Sequence, residues 1–268
     1  MIGTAMTTEQ SDFIDVVTAG HVVIGAVIMF ADPAIAEVTC APWDFVMVDL
    51  EHGAIGLHDL HRILIAARAA DTPALVRIAS EKSELLAPVL DAGAVGIVVS
   101  HVESSAQATD LVSRLRYPPL GSRGWGPRRA AAVGGRPGVN TVSDRVLCIA
   151  QIETKVGVEA AGFIAAVDGI DALLVGASDL SVELGVPVQY GAEVLRAAIR
   201  SVQAACREAG VISGIAGVRP AELLAEVCGN DSTIVLAGSD MPAYDRSNRD
   251  AAENVRDFWA RNRGAATP

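Results

Sequence analysis

The chain has 268 residues, with 32 acidic against 21 basic side chains and a formal charge of −11. Such a surface repels nucleic acid and anionic membranes unless a local basic patch intervenes. Hydrophobic residues make up 51% and charged residues 20%, which excludes a mostly disordered chain, and at 4% aromatics the core has to be filled by Ala, Val, Leu and Ile.

From the amino terminus, a helix is expected over 9–19. The nine apolar residues 22–30 that follow are half a membrane span and read as a buried strand. No basic residue precedes Arg62, so the charged start of a secretory signal is missing and the cytoplasm is the expected location. Strands are expected at 22–28, 45–49, 74–78, 95–99, 146–152, 172–175, 211–216 and 233–237. Most are continuous in apolar residues, as strands covered on both faces should be. Helical stretches fall at 33–40, 57–70, 81–91, 103–116, 155–167, 191–209, 219–228 and 243–260.

Eight strands with helical connections predict an α/β fold, a (β/α)8 barrel with an N-terminal helix and an additional C-terminal helix. An open doubly wound sheet is the alternative, although no G-x-G-x-x-G follows the first strand. No Pro/Gly-rich hinge separates two large pieces, so residues 1–268 are expected to form one domain, with a helical extension at about 243–260. The four cysteines, Cys40, Cys148, Cys206 and Cys228, lie far apart and read as core thiols. The stretch 117–144 is too rich in Gly and Pro for a regular helix. With Arg114, Arg116, Arg123, Arg128, Arg129 and Arg136 in or just before it, it reads either as a solvated flexible lid or as an anion-steering, substrate-closing loop. The segments 173–181 and 234–242 echo each other, each placing a small residue pair and an Asp just after a strand.

Barrel chemistry gathers where strands run into the following loops. Those positions hold Asp49, Glu51 and His52 after strand two, Arg77 in strand three, Gln151 and Glu153 at strand five, Asp179 after strand six and Asp240 after strand eight. Buried charges there need partners or a metal. Glu153 and Asp179, one β/α unit apart, either share an Mg²⁺ or Mn²⁺ ion or pair with arginines and helix termini. His52 is a candidate proton carrier, oriented by its flanking acids, or a structural hydrogen bonder. His101 is a lesser candidate, and His58 and His61 fall on a helix. Arg77, alone among apolar neighbours, either holds an anionic oxygen or forms an internal salt bridge to Asp49, Glu51 or Asp91.

WDFVMVDLEHG at 43–53, LVRI at 75–78, LDAGAVGIVVSHVESSAQA at 90–108, YPPLGSRGWGP at 117–127, QIETKVGVE at 151–159 and LLVGASDLSVELG at 173–185 together resemble the HpcH/HpaI aldolase family. The resemblance runs over about residues 20–242 and is nearest the pyruvate-dependent, metal-requiring class II branch, of the 4-hydroxy-2-oxoheptanedioate aldolase kind. It implies a modified barrel assembled as a homo-hexamer, a trimer of dimers that exchange C-terminal helices. It implies Glu153 and Asp179 as ligands of a divalent metal (Mg²⁺ or Mn²⁺, with Co²⁺ as a further option) and His52 as part of the acid/base machinery. Arg77 would face the pyruvate oxygen, Gln151 would act near the metal or substrate, and the backbone of Gly176, Ala177 and Ser178 would receive the substrate carboxylate. Asp91, the acid of the LDAG segment, would support the His52 region from a neighbouring subunit.

Two positions depart from the family pattern: Ser100 stands where many relatives have proline, and Ala177 where some have a different small or cyclic residue. The activity implied is reversible cleavage of a 4-hydroxy-2-oxo acid into pyruvate and a small aldehyde, with neither nucleic acid nor membrane as partner. The alternatives are another 2-oxo acid or acyl-CoA lyase or hydrolase, and a noncatalytic barrel that binds small acids. A Schiff-base route would have to use Lys82 or Lys155, the chain's two lysines, and both fall beyond strand ends.

Overall fold

In the computed structural model, which describes residues 10–126, 129, 146–218, 221–228 and 231–262, eight parallel strands close on themselves in chain order. They are β1 Val23–Ile28, β2 Phe45–Asp49, β3 Ala74–Ile78, β4 Gly96–Val99, β5 Leu147–Ile152, β6 Ala172–Gly176, β7 Ile212–Ala216 and β8 Ile234–Ser239. The helices are α1 Gln10–Thr18, α2 Pro33–Cys40, α3 Leu57–Ala69, α4 Leu86–Asp91, α5 Ser105–Leu115, α6 Lys155–Ala165, α7 Ala177–Glu183, α8 Glu193–Ala209, α9 Ala221–Cys228 and α10 Asp240–Asn262. Strand β1 pairs with β2 on one side and with β8 on the other, so the sheet is a closed barrel and the open-sheet alternative is excluded.

Period-two alternation sorts the strand side chains into two apolar layers. Phe45 and Met47 point into the barrel with Leu75, Val98, Ile149, Leu174 and Leu236. Val46 and Val48 point outward and pack with Val76 and Ile97 under Leu60, Ile63, Leu111, Ile164 and Ile199 of the surrounding helices. Because both faces are covered, the strands carry unbroken apolar runs. Helix α1 closes the end of the barrel where the strands begin: Phe13 and Val17 join the interior layer, and the Phe13 and Phe45 rings lie 5.5 Å apart between centroids. Gly25 makes room for this plug, since a Cβ there would stand 2.6 Å from the Phe45 ring.

Two helices differ from expectation. The predicted 81–91 helix begins only at Leu86, because Ser80 Oγ accepts from the Lys82 amide (3.1 Å) and Ser83 Oγ from the Leu85 amide (3.2 Å). Such local side-chain bonds hold the backbone in turns that compete with a helix. Helix α7, which starts immediately after β6, was not expected at all; its 7 residues are too few to show a helical period. Cys40, Cys148 and Cys206 are free and buried, with burial pushing the Cys40 thiol up to about 12 and that of Cys206 to about 11; the Cys228 side chain lies outside the described residues. Among the described residues, no helix is long and apolar enough to cross a membrane.

If α1 is the plug of the barrel, Phe13→Ala should lower the unfolding free energy by about 3–5 kcal/mol, as for other buried Phe truncations. Urea unfolding measures it, and a loss below about 1 kcal/mol would show that α1 is peripheral to the core.

Candidate active site

The end of β2 organises one half of the site. Asp49, its last residue, is fully buried and lies in register with Arg77 of β3. Its carboxylate receives both arms of the guanidinium, Arg77 Nε on Oδ1 at 3.0 Å and Nη2 on Oδ2 at 2.6 Å. The same Oδ1 accepts the amides of Glu51 (3.0 Å) and His52 (3.2 Å), so one carboxylate turns the chain and anchors the arginine. Burial alone would raise the Asp49 pKa, but the hydrogen bonds and charge of Arg77, with the two amides, hold it below the ordinary value. Burial likewise works against the charge of Arg77, and Asp49 foremost, with Glu51 and Glu153, more than compensates.

Of the two readings of Arg77, the internal salt bridge to Asp49 is therefore present, and it leaves Nη1 without a partner among the described residues. Glu51 lies next to this pair: its Oε2 accepts from Ser100 Oγ (2.6 Å) and stands 3.3 Å from Arg77 Nε. His52 Nε2 is 3.8 Å from the same Oε2, on a side chain 58% exposed.

The other half is built around Glu153, just past β5. It is buried, and its Oε2 accepts a short hydrogen bond from Gln151 Nε2. Its Oε1 accepts the His101 amide at 2.8 Å. Gly176 at the end of the neighbouring strand makes this possible, because a Cβ there would stand 2.6 Å from Glu153 Oε2 and 3.1 Å from Gln151 Nε2. Burial drives the Glu153 carboxyl above its ordinary value; Gln151 and His101 pull it back, and the negative charge of Asp179 pushes it up again. Asp179 sits in the first turn of α7, so strands β5 and β6 bring the two acids within reach of each other's charge. Gln151 is buried, and its Oε1 has no hydrogen-bond partner. Ala177 is buried, while Ser178 Oγ lies 3.1 Å from the Tyr190 hydroxyl.

His52, Arg77, Gln151, Glu153, Gly176, Ala177, Ser178 and Asp179 thus all stand where strands run into loops. Asp91 does not. It ends α4, before β4 begins, and its Oδ1 accepts from Arg123 Nη2 at 2.6 Å, so within one chain it belongs to the opposite end of the barrel. Arg123 is itself buried and lies 4.7 Å from the Tyr117 ring centre. Arg116 is equally internal, donating to Val146 O and Asp171, which makes two of the arginines around 117–144 structural. Apart from Arg129, the part of that stretch beyond residue 126 lies outside the described residues. Asp240 is also structural: its carboxylate accepts the amides of Met29, Phe30 and Met241, tying the loop after β1 to the end of β8. The echo between 173–181 and 234–242 is therefore one of local form only.

Sequence reasoning undervalued Glu51 and His101. Atoms of Glu51, His101 and Glu153 lie within 4.8 Å of one another, and among the described residues they form the group of three His, Cys, Asp or Glu side chains that could hold a metal ion together. The available signal was His101 itself, a titratable residue two positions past the apolar run of β4.

Comparison with known proteins gives a consistent picture. The model of the HpcH/HpaI aldolase/citrate lyase family matches residues 28–243. A hydroxypyruvate/pyruvate aldolase of Roseovarius nubinhibens is 32% identical over 216 residues, spanning 78% of this chain and 84% of the relative. A 4-hydroxy-2-oxovalerate aldolase of Novosphingobium aromaticivorans is 39% identical over 185 residues, spanning 67% of this chain and 70% of the relative. The crystal structure of an HpcH/HpaI aldolase/citrate lyase family protein from Burkholderia cenocepacia superposes with a TM-score of 0.83 at 28% identity, covering 92% of this chain and 99% of that one.

Removing Arg77 leaves the buried Asp49 charge without its counter-ion, so Arg77→Met should cost about 3–5 kcal/mol at neutral pH. A depressed carboxylate pKa contributes stability that is complete above the unfolded value, near 3.8 for Asp, and is lost as pH falls through the lower folded value. The gap between wild type and variant should accordingly narrow as pH falls toward and below that range. Denaturant titrations across pH check this, and a gap independent of pH would contradict the pairing.

Proposed function

Because the chain belongs to the HpcH/HpaI aldolase/citrate lyase family, we propose that it is a divalent-metal-dependent class II aldolase that reversibly cleaves a 4-hydroxy-2-oxo acid into pyruvate and an aldehyde. The observation that carries this reading is the buried Glu153 carboxylate just past β5, with Asp179 in the first turn of α7 after the neighbouring β6 and Arg77 and His52 at the same end of the barrel. Two nearby acids, one of them buried with a raised pKa, are stabilised by a cation, and the unpartnered Oε1 of Gln151 beside them fits a hydrated ion. Glu153 and Asp179 would hold that ion, and Mg²⁺ or Mn²⁺ suits carboxylate oxygens. When bound, it supplies Lewis acidity toward the carboxylate and 2-oxo oxygens of the substrate.

The chain's own groups do the rest. Arg77, locked by Asp49, presents its free Nη1 to the 2-oxo oxygen and meets the negative charge that develops there as the enolate forms. The backbone of Gly176, Ala177 and Ser178 receives the substrate carboxylate at the start of α7. His52 takes the proton of the 4-hydroxyl group; the C3–C4 bond then breaks, its electron pair passing into the enolate, and protonation at C3 releases pyruvate. The position suits this role, because Asp49 holds the His52 backbone amide while the imidazole stands 3.8 Å from Glu51 Oε2 and stays open to substrate. Lys82 and Lys155 are both exposed, which disfavours a Schiff base formed in a closed site.

The reading extends to a homo-oligomer, with Asp91 of the partner subunit supporting His52. Helix α10 supports it physically: apart from Asp240 the helix is not buried, and Tyr244, Val255, Phe258 and Trp259 are between 56% and 61% exposed. An apolar row of this kind marks a surface that another chain covers.

A screen of 4-hydroxy-2-oxo acids with added Mg²⁺, Mn²⁺ or Co²⁺, following pyruvate release, tests the proposal. Metal-dependent turnover is expected, abolished by chelation and by Glu153→Gln, with His52→Gln lowering kcat by about 10²- to 10⁴-fold. Undiminished turnover by Glu153→Gln would reject the metal role. Binding of pyruvate with no cleavage of any substrate would favour a noncatalytic scaffold, and cleavage of acyl-CoA alone would favour a different lyase.

A further inference from the structure

The loop after β4 carries a feature that the proposed chemistry leaves unused. His101 adopts a left-handed backbone with φ of +53°, a conformation that costs a side-chain-bearing residue about 1 kcal/mol or more. The turn is held on both sides, by the His101 amide on Glu153 Oε1 at 2.8 Å and by Gln107 Nε2 on the His101 carbonyl at 3.4 Å. It places the imidazole between two carboxylates: Nδ1 stands 3.3 Å from Glu153 Oε1, and Nε2 stands 3.9 Å from Glu51 Oε1.

These separations have a specific chemical reading. Two donor atoms at right angles on one first-row ion, each about 2.1 Å from it, lie about 3 Å apart. The Nδ1–Oε1 spacing of 3.3 Å is close to that, and no hydrogen bond joins the ring to Glu153. The other nitrogen faces Glu51, whose Oε2 is already engaged by Ser100 and Arg77. A histidine that binds a metal through one nitrogen while a carboxylate orients the other is the common arrangement at protein metal sites. An independent observation points the same way: Gln151, 1% exposed and bonded through Nε2 to Glu153, keeps an unpartnered Oε1 beside this carboxylate.

We infer that His101 Nδ1 is a nitrogen ligand of the ion held by Glu153, with Nε2 on the side of Glu51, and that it tilts the site toward first-row transition ions over Mg²⁺. The inference rests on the reading that Glu153 binds a divalent ion, and adds a donor to it. Oxygen-only sites suit Mg²⁺, whereas an imidazole strengthens binding along the series from Mn²⁺ to Co²⁺ and Ni²⁺.

The test uses the full-length protein stripped of metal, with Co²⁺ and Mg²⁺ binding followed by calorimetry and Mn²⁺ examined by pulsed electron paramagnetic resonance. Wild type should prefer Co²⁺ over Mg²⁺, and His101→Gln should reduce that preference about tenfold or more, chiefly by weakening Co²⁺. Bound Mn²⁺ should show ¹⁴N coupling in wild type, replaced by ¹⁵N coupling after ¹⁵N-histidine labelling; this readout needs no variant to fold. Binding of both ions with no histidine nitrogen coupling would overturn the His101 assignment and leave the metal-dependent reading standing. Histidine coupling that survives His101→Gln but is lost in His52→Gln would also overturn it. Failure of wild type to bind any divalent ion would overturn the broader reading as well.

Discussion

A carboxylate kept out of water at the mouth of an otherwise apolar barrel is the constraint on which the rest of the molecule depends. Glu153 cannot be accommodated by packing alone: it needs Gln151 on one oxygen, the His101 amide on the other, and a neighbouring strand that ends in glycine to leave it space. Burial and the charge of Asp179 still hold its pKa high. A carboxyl whose folded pKa lies above its unfolded value stabilises the fold only at low pH, and that contribution is lost as pH rises through the folded value. Wherever the group is ionised it therefore works against folding, a cost typical of residues kept for function.

The barrel offsets that cost with two devices at its carboxyl end. Asp49 accepts four hydrogen bonds, two from Arg77 and two from backbone amides, so the most buried charge of the site is also its most fully bonded. Asp240 closes the ring between β8 and the loop after β1 in the same way, with amides as partners. These fixed carboxylates give rigidity, while the exposed pair His52 and Asp179 and the free arm of Arg77 remain open to a small molecule. The division follows the general logic of the fold, in which a packed interior holds reactive loops in place.

Much of this was legible in the order of residues. Unbroken apolar strands separated by helical stretches led to the barrel, because burial on both faces leaves a local trace. Asp49, Glu51, His52, Arg77, Gln151, Glu153 and Asp179 could be picked out for the complementary reason, being ionisable or amide groups at the ends of apolar runs. What was not legible depends on partners far away in the chain. Nothing local distinguishes Asp240, satisfied by amides some 211 residues distant, from Asp179, which echoes it in sequence and whose charge bears on Glu153. The late start of α4 turns on which serine hydroxyls fold back on the backbone. His101 gains its place through a left-handed turn that no periodicity announces.

The account stands or falls on whether a cation binds between β5 and β6. Anomalous diffraction from crystals soaked in Mn²⁺ and pyruvate locates such an ion directly. The expected result is a peak within about 2.0–2.3 Å of carboxylate oxygens of both Glu153 and Asp179, with pyruvate beside it and the Arg77 guanidinium facing the 2-oxo oxygen. Pyruvate seated in the barrel mouth with no anomalous peak at those two carboxylates would contradict it.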